Sequence, residues 1–193
     1  MKLTAIFGGT FNPFHIGHYQ ILEHLCSQSF IEKVFVVPDR IPPHKECDYL
    51  APDESRIEMC RLMCDKFPKA ELCLVEFERK GKSYTYDTLR LLKEKYPDTE
   101  FAVVCGGDMI ATLDKWYKYD KLKRLAGFIA FNRDNDGAFM QNVSKYVRDG
   151  ATIFVLNKAI APVSSTELRK ELKKDKLPEE IYDYITKTGL YNG

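Results

Sequence analysis

The chain has 193 residues, 45% of them hydrophobic and 30% charged. That is ordinary globular composition, which excludes a largely disordered chain and at this length predicts one domain with a proper core. Lysine and arginine number 29 against 28 aspartates and glutamates, so no global field draws in nucleic acid or an anionic membrane, and any phosphate affinity must be local.

Residues 3–7 form an apolar run that predicts a buried first strand, with no signal peptide expected ahead of it. Gly8-Gly9-Thr10-Phe11-Asn12-Pro13-Phe14-His15-Ile16-Gly17-His18 follows as a predicted glycine-rich turn. Its glycines let the backbone turn tightly and approach a ligand. A helix is predicted over 16–28, with Ile16, Tyr19, Leu22, Leu25 and Cys26 spaced for a buried face. A helix N-terminus offers free N–H groups and partial positive charge, which suits phosphate. His15 and His18 can face one ligand from the same side of that turn. The plainer alternative is that both merely cap and pack the first helical turn.

The second strand is predicted over 33–37, and Pro38, Pro42 and Pro43 stiffen the loop beyond it. Ligands of open α/β sheets bind outside the carboxyl ends of the strands, which brings Lys45, and His44 beside it, within reach of the same phosphates. The alternative is a rigid surface loop with a solvated lysine. A helix over 53–67 presents Ile57, Cys60, Met63, Cys64 and Phe67 on one face. A third strand is expected over 72–77, then a polar turn over 78–82, and Ser83-Tyr84-Thr85-Tyr86-Asp87 leads into a helix ending near Tyr96. Ser83 and Thr85 suit capping of that helix.

Residues 101–105 form an unbroken apolar strand, followed at once by Gly106-Gly107-Asp108 and a helical stretch over 109–113. A carboxylate after a glycine turn on a parallel strand accepts hydrogen bonds from ribose hydroxyls. Trp116 is the single tryptophan. It suits either the core or a flat ring stacked on its indole face. A helix over 120–125, a strand over 127–131, a polar loop over 132–137, a helix over 138–147 and a strand over 152–156 complete the alternation. The pattern predicts an α/β, Rossmann-like, doubly wound parallel sheet with helices on both faces. At the next helix start, Ser164, Ser165 and Thr166 offer hydroxyls, and Arg169 one turn on can fork onto a phosphate. Ser164 and Glu167 also fit a capping box. A last helix over 177–187 carries Ile181, Tyr184 and Ile185. A single domain is expected over 1–193, its small C-terminal helical part beginning near 164.

Cys26, Cys47, Cys60, Cys64, Cys73 and Cys105 form no Cys-x-x-Cys pair, and no histidine stands near Cys60 and Cys64. A structural zinc is therefore not expected, and reduced thiols fit a cytoplasmic location. No apolar run approaches the ~20 residues of a membrane helix.

Taken in order, residues 8–18, 37–45, 81–89, 106–116 and 163–169, with the closing Gly189-Leu190-Tyr191, resemble the motifs of the bacterial nicotinate-nucleotide adenylyltransferase family, within the nucleotidyltransferases that carry a His-x-x-His element. The resemblance implies a reaction of ATP with nicotinate mononucleotide that gives deamido-NAD and pyrophosphate. It implies that His15, His18, Lys45 and Arg169 contact ATP phosphates. Gly8, Gly9, Ser165 and Thr166 would add backbone or hydroxyl contacts, and Thr10, Phe11, Gly106 and Ser164 would border ATP with them. Asp108 would hold the adenosine ribose. Trp116 would stack on the pyridine ring, Thr85 and the Tyr117 backbone would read the nicotinate carboxylate, and Asp39 and Tyr84 would complete that side. Mg²⁺ would be held by phosphates and water, since no acidic cage is evident. Asn12 departs from the family's usual Asp, and Val163 from its usual Ile. A transferase acting on nicotinamide mononucleotide or phosphopantetheine, and a non-catalytic nucleotide sensor, remain alternatives. The oligomeric state stays open, a homodimer included.

Overall fold

The computed structural model describes residues 2–41, 49–132 and 137–191. β1 (Leu3–Gly9) is buried from Leu3 to Phe7. A strand with no polar face must be covered on both sides, so it lies at the middle of the sheet. After α1 (Ile16–Ser27), β2 (Ile31–Pro38) pairs parallel to β1, from Leu3↔Ile31 to Gly9↔Pro38. α2 (Asp53–Cys64) leads to a short edge strand, β3 (Ala70–Leu72), which pairs with Val34 to Val36. The chain then returns through α3 (Thr85–Lys95) to the other side of β1, where β4 (Phe101–Cys105) pairs parallel with it. α4 (Gly107–Ala111), α5 (Tyr119–Leu125), β5 (Gly127–Asn132), α6 (Gly137–Arg148), β6 (Ile153–Asn157), α7 (Ser165–Lys170) and α8 (Glu179–Thr188) complete the described elements. The sheet has six parallel strands in the order β3-β2-β1-β4-β5-β6.

The side-chain period of two divides the core into two layers. Ala5 and Phe7 of β1, with Val34 and Val36 of β2, pack with Leu22 and Leu25 of α1, Met59 and Met63 of α2, Leu168 of α7, and Ile181 and Ile185 of α8. Ile6 and Phe35 point the other way, with Leu89, Leu92, Ile110, Leu122, Val143 and Tyr146 of α3 to α6. Strand order reverses between β1 and β4. Their outgoing loops part there and leave a crevice at the carboxyl edge, where such sheets bind ligands. No helix of the described residues is long and apolar enough to cross a membrane.

Two expectations need correction. The strand expected over 72–77 is β3 at Ala70–Leu72 followed by a 3-10 turn at Val75–Glu78. Val75 and Glu76 are both buried, which an alternating edge strand does not allow. On α2 the buried face is Arg56, Met59, Cys60, Met63 and Cys64, so Ile57 is displaced from it and Phe67 lies beyond the helix end.

Candidate active site

Gly8 and Gly9 belong to the end of β1 rather than to a turn. The left-handed residue of the segment is Phe11, at φ 48°. That conformation costs a bulky residue about 1–3 kcal/mol. Here the ring is held by stacking on Phe14, 4.9 Å away, and by an edge contact with Phe7 at 5.4 Å. Glycine at position 9 keeps the Phe11 ring in place, since a Cβ there would sit 3.1 Å from it and press it back. At Gly17 a Cβ would lie 3.2 Å from both the His15 ring and the Ala161 carbonyl.

His15 is the N-cap of α1, and the two histidines cap each other's backbone. The His18 N–H donates to His15 Nδ1 (3.3 Å) and the His15 N–H to His18 Nδ1 (3.2 Å). Both Nδ1 atoms are therefore acceptors, which puts the proton of each neutral imidazole on Nε2. The rings stack 3.6 Å apart, and both border the cleft. Capping does not exclude ligand contact here: it uses only one nitrogen of each ring.

Two residues that the sequence pattern did not single out as site residues brace this turn. Arg56 is fully buried. Its guanidinium donates to the carbonyls of Thr10, Asp39, Arg40 and Ala51 and pairs with Asp53. A cation at the helical spacing of Cys60 and Met63, on an apolar stripe, was the available signal. The Asn12 amide donates to the Tyr49 carbonyl (2.8 Å), and its Oδ1 accepts from the Ala51 N–H (3.2 Å) and the Tyr191 hydroxyl (2.7 Å).

The last motif is stitched onto the first. Ser165 Oγ donates to the Pro13 carbonyl (3.4 Å), and Arg169 Nη1 donates to the Asn12 carbonyl (3.0 Å). Arg169 Nη2 donates to Thr166 Oγ1 (3.2 Å). The expected capping box does not form: Ser164 is the N-cap of α7 with no side-chain cap bond, and Glu167 is exposed. α3 likewise begins at Thr85 behind an N-cap Tyr84 that makes no side-chain bond. Ser83, expected as a cap, instead accepts from the Arg40 N–H (3.1 Å). The first residues of both helices border the cleft, and the first N–H groups of a helix have no partner within it.

The far side of the cleft is aromatic. Tyr84 lies 4.6 Å from Tyr117, and Lys118 rests over both Tyr86 (4.8 Å) and Tyr117 (4.7 Å). Trp116 is half-buried against the second core layer and borders the cleft, so it serves both the core and the site wall. Buried Glu76, which itself borders the cleft, accepts from Thr88 Oγ1 and from Arg79 Nη2, fixing the approach to α3. The expected third strand had hidden Glu76. Asp108 is exposed in the first turn of α4, with Gly106 as N-cap.

These residues enclose a cleft of about 1280 Å³. The structure brings to it Gly8, Gly9, Thr10, Phe11, His15, His18, Asp39, Tyr84, Thr85, Gly106, Asp108, Trp116, Tyr117, Ser164, Ser165, Thr166 and Arg169. Lys45 and His44 lie outside the described residues. The described cysteines are free. Burial pushes the Cys26 thiol up to about 11 and Cys64 up to about 12, and it also raises Cys60, Cys73 and Cys105. Thiols held protonated in this way are poor nucleophiles.

The model of the cytidylyltransferase-like family matches residues 6–171. A Listeria monocytogenes serotype 4b (strain F2365) protein named "Probable nicotinate-nucleotide adenylyltransferase" is 37% identical over 190 residues, 97% of this chain and 96% of the relative. The Bacillus subtilis (strain 168) nicotinate-nucleotide adenylyltransferase is 35% identical over 196 residues, 99% of each chain. Among solved structures, the Plasmodium falciparum nicotinic acid mononucleotide adenylyltransferase complexed with NaAD superposes with a TM-score of 0.80 at 24% identity, covering 100% of this chain and 98% of that one.

Proposed function

The chain belongs to the nicotinate-nucleotide adenylyltransferases of the cytidylyltransferase-like family, and we infer that its cleft joins ATP to nicotinate mononucleotide, giving deamido-NAD and pyrophosphate in NAD biosynthesis. The observation that carries the chemistry is the reciprocally capped His15–His18 pair on the cleft wall.

The phosphate of nicotinate mononucleotide attacks the α-phosphorus of ATP in line. A new P–O bond forms as the bond to the β-phosphate oxygen breaks, and the electron pair leaves with pyrophosphate. The nucleophile is already an anion, so no general base is required. Catalysis is then positioning plus charge stabilisation. The Nε2–H groups of His15 and His18 donate to the α-phosphate oxygens and the leaving group. Arg169 forks onto phosphate, Ser164, Ser165 and Thr166 supply hydroxyl and N–H donors, and Gly8, Gly9, Thr10, Phe11 and Gly106 line the nucleotide with backbone. Lys45 joins the phosphate set on the strength of the motif alone. Asp108 takes the ribose hydroxyls. Trp116 stacks on the pyridine ring, with Tyr84 and Asp39 beside it. Thr85 and the Tyr117 backbone read the carboxylate at the start of α3, where the helix dipole favours an anion.

A divalent cation supplies charge neutralisation to nucleotidyltransfer. Among the described residues no group of three His, Cys, Asp or Glu side chains is gathered to hold one. Phosphate oxygens and water are the fitting ligands, and Mg²⁺ is the cation that prefers them. The same reading makes the chain one nucleotidyltransferase domain, with its thiols reduced in the cytoplasm.

Pyrophosphate release with Mg-ATP and three acceptors in parallel tests the assignment: nicotinate mononucleotide, nicotinamide mononucleotide and phosphopantetheine. Strong preference for the first is expected. Comparable rates on the first two would remove the carboxylate role of Thr85. Release with phosphopantetheine alone would overturn the role of Trp116 and the family's substrate with it.

A further inference from the structure

We propose that Tyr191 is a positioning residue for the ATP phosphates, acting through Asn12 on Arg169. The proposal rests on the phosphate-side reading of the cleft given above. The Gly189-Leu190-Tyr191 ending has no part in the chemistry so far. Gly189 ends α8 in the left-handed region, at φ 68°, and this turns the chain so that Leu190 buries in the first core layer. Tyr191 is itself left-handed, at φ 62°. A tyrosine persists there only when its surroundings over-determine it. Two contacts do so: the ring stands edge-on to Tyr49, 5.6 Å away, and the hydroxyl donates to Asn12 Oδ1.

Asn12 is 1% exposed, and its amide is pinned at three points. Tyr191 Oη and the Ala51 N–H approach Oδ1, and Nδ2 is spent on the Tyr49 carbonyl. Two donors on one side and an acceptor on the other leave the amide a single orientation. The main chain of the same residue carries the carbonyl that accepts from Arg169 Nη1. A side chain so held fixes its own backbone, and the carbonyl stays aimed at the guanidinium. Arg169 is thereby oriented on the cleft wall before ATP arrives, which removes an ordering cost from binding. The residues linked by this path lie 179 and 157 positions apart in the chain.

Tyr191→Phe removes only the hydroxyl, keeping the ring on Tyr49 and Leu190 in its layer. The KM for ATP, and the dissociation constant of a non-hydrolysable ATP analogue, should rise roughly threefold to tenfold, the worth of one hydrogen bond. The KM for nicotinate mononucleotide should stay near wild type, and the melting temperature should fall by only about 2–4 °C, the same bond's worth to the fold. In an Arg169→Ala background the same substitution should add nothing to the ATP effect, because the path ends at Arg169. Unchanged ATP binding would overturn the proposal. So would equal weakening of both substrates, the mark of general loosening. Should wild-type protein bind the analogue yet form no deamido-NAD, the functional reading fails, while the analogue titration still decides the role of Tyr191.

Discussion

At one end of the cleft, four backbone carbonyls converge on the buried guanidinium of Arg56, and Asn12 ties the turn after β1 to Ala51 and Tyr191. At the other end, Tyr84, Trp116 and Tyr117 offer half-covered or exposed ring surface, with Tyr117 held by a tilted contact to Tyr84, the edge of Tyr86 and Lys118. The contrast follows from what each end receives. Phosphate transfer demands donors fixed where charge develops, and hydrogen bonds in a dry surround fix them. A flat ring is recognised by area, which aromatic faces supply without a rigid frame.

The largest test of this contrast is Arg56→Ala. Removing a buried, multiply bonded cation leaves its carbonyls unsatisfied and Asp53 without its partner, and should cost roughly 3–5 kcal/mol of folding stability. Denaturant unfolding reads this directly, and a loss below about 1 kcal/mol would mean the brace adds nothing.

Trp116→Ala should act on function instead. The KM for nicotinate mononucleotide should rise about tenfold, the scale of a lost ring stack, with the KM for ATP near wild type. Equal effects on both substrates would erase the division between the two ends.

The smallest effects are in pH. Asp114, two residues before Trp116, is held below the usual carboxylate range by hydrogen bonds from Lys145 and then Tyr146. Its contribution is present above the ordinary aspartate value and is lost as pH falls through the lowered one. Tyr191 is shifted the opposite way, raised by burial first and then by Tyr49. Its contribution is full below the ordinary tyrosine value, about 10, and is lost as pH rises beyond it. Acid should therefore loosen the tie between the segment before Trp116 and α6, and alkali the phosphate end. Unfolding free energies of Asp114→Asn on the acid limb and Tyr191→Phe on the alkaline limb should each show a shallower slope than wild type.

Much of this architecture was legible before any coordinates. β1, β2, β4 and β5 are apolar runs whose burial on both faces follows from composition, and the cleft residues follow strand ends where parallel sheets bind ligands. What escaped depends on partners far along the chain. Periodicity marks Arg56 as lying on a buried stripe, yet four of its five partners are backbone carbonyls outside the helix, and the fifth is the Asp53 side chain at the helix start. Phe11, not a neighbouring glycine, takes the left-handed position of the expected glycine-rich turn, because its ring has Phe7 and Phe14 to pack on. Ser164 matched a capping pattern, but its neighbours Ser165 and Arg169 are drawn to Pro13 and Asn12 instead. Local signals fixed where helices and strands start, while the hydrogen bonds between the first and last motifs had no local trace.

The most direct test of the account is single-turnover formation of deamido-NAD by His18→Ala at saturating ATP and nicotinate mononucleotide. Losing one preorganised donor should slow the step about a hundredfold or more, while the lost cap costs only about 1 kcal/mol of stability and the circular dichroism spectrum stays unchanged. A folded His18→Ala protein that turns over within a few-fold of wild type would contradict the account and leave the histidine pair as a helix cap alone.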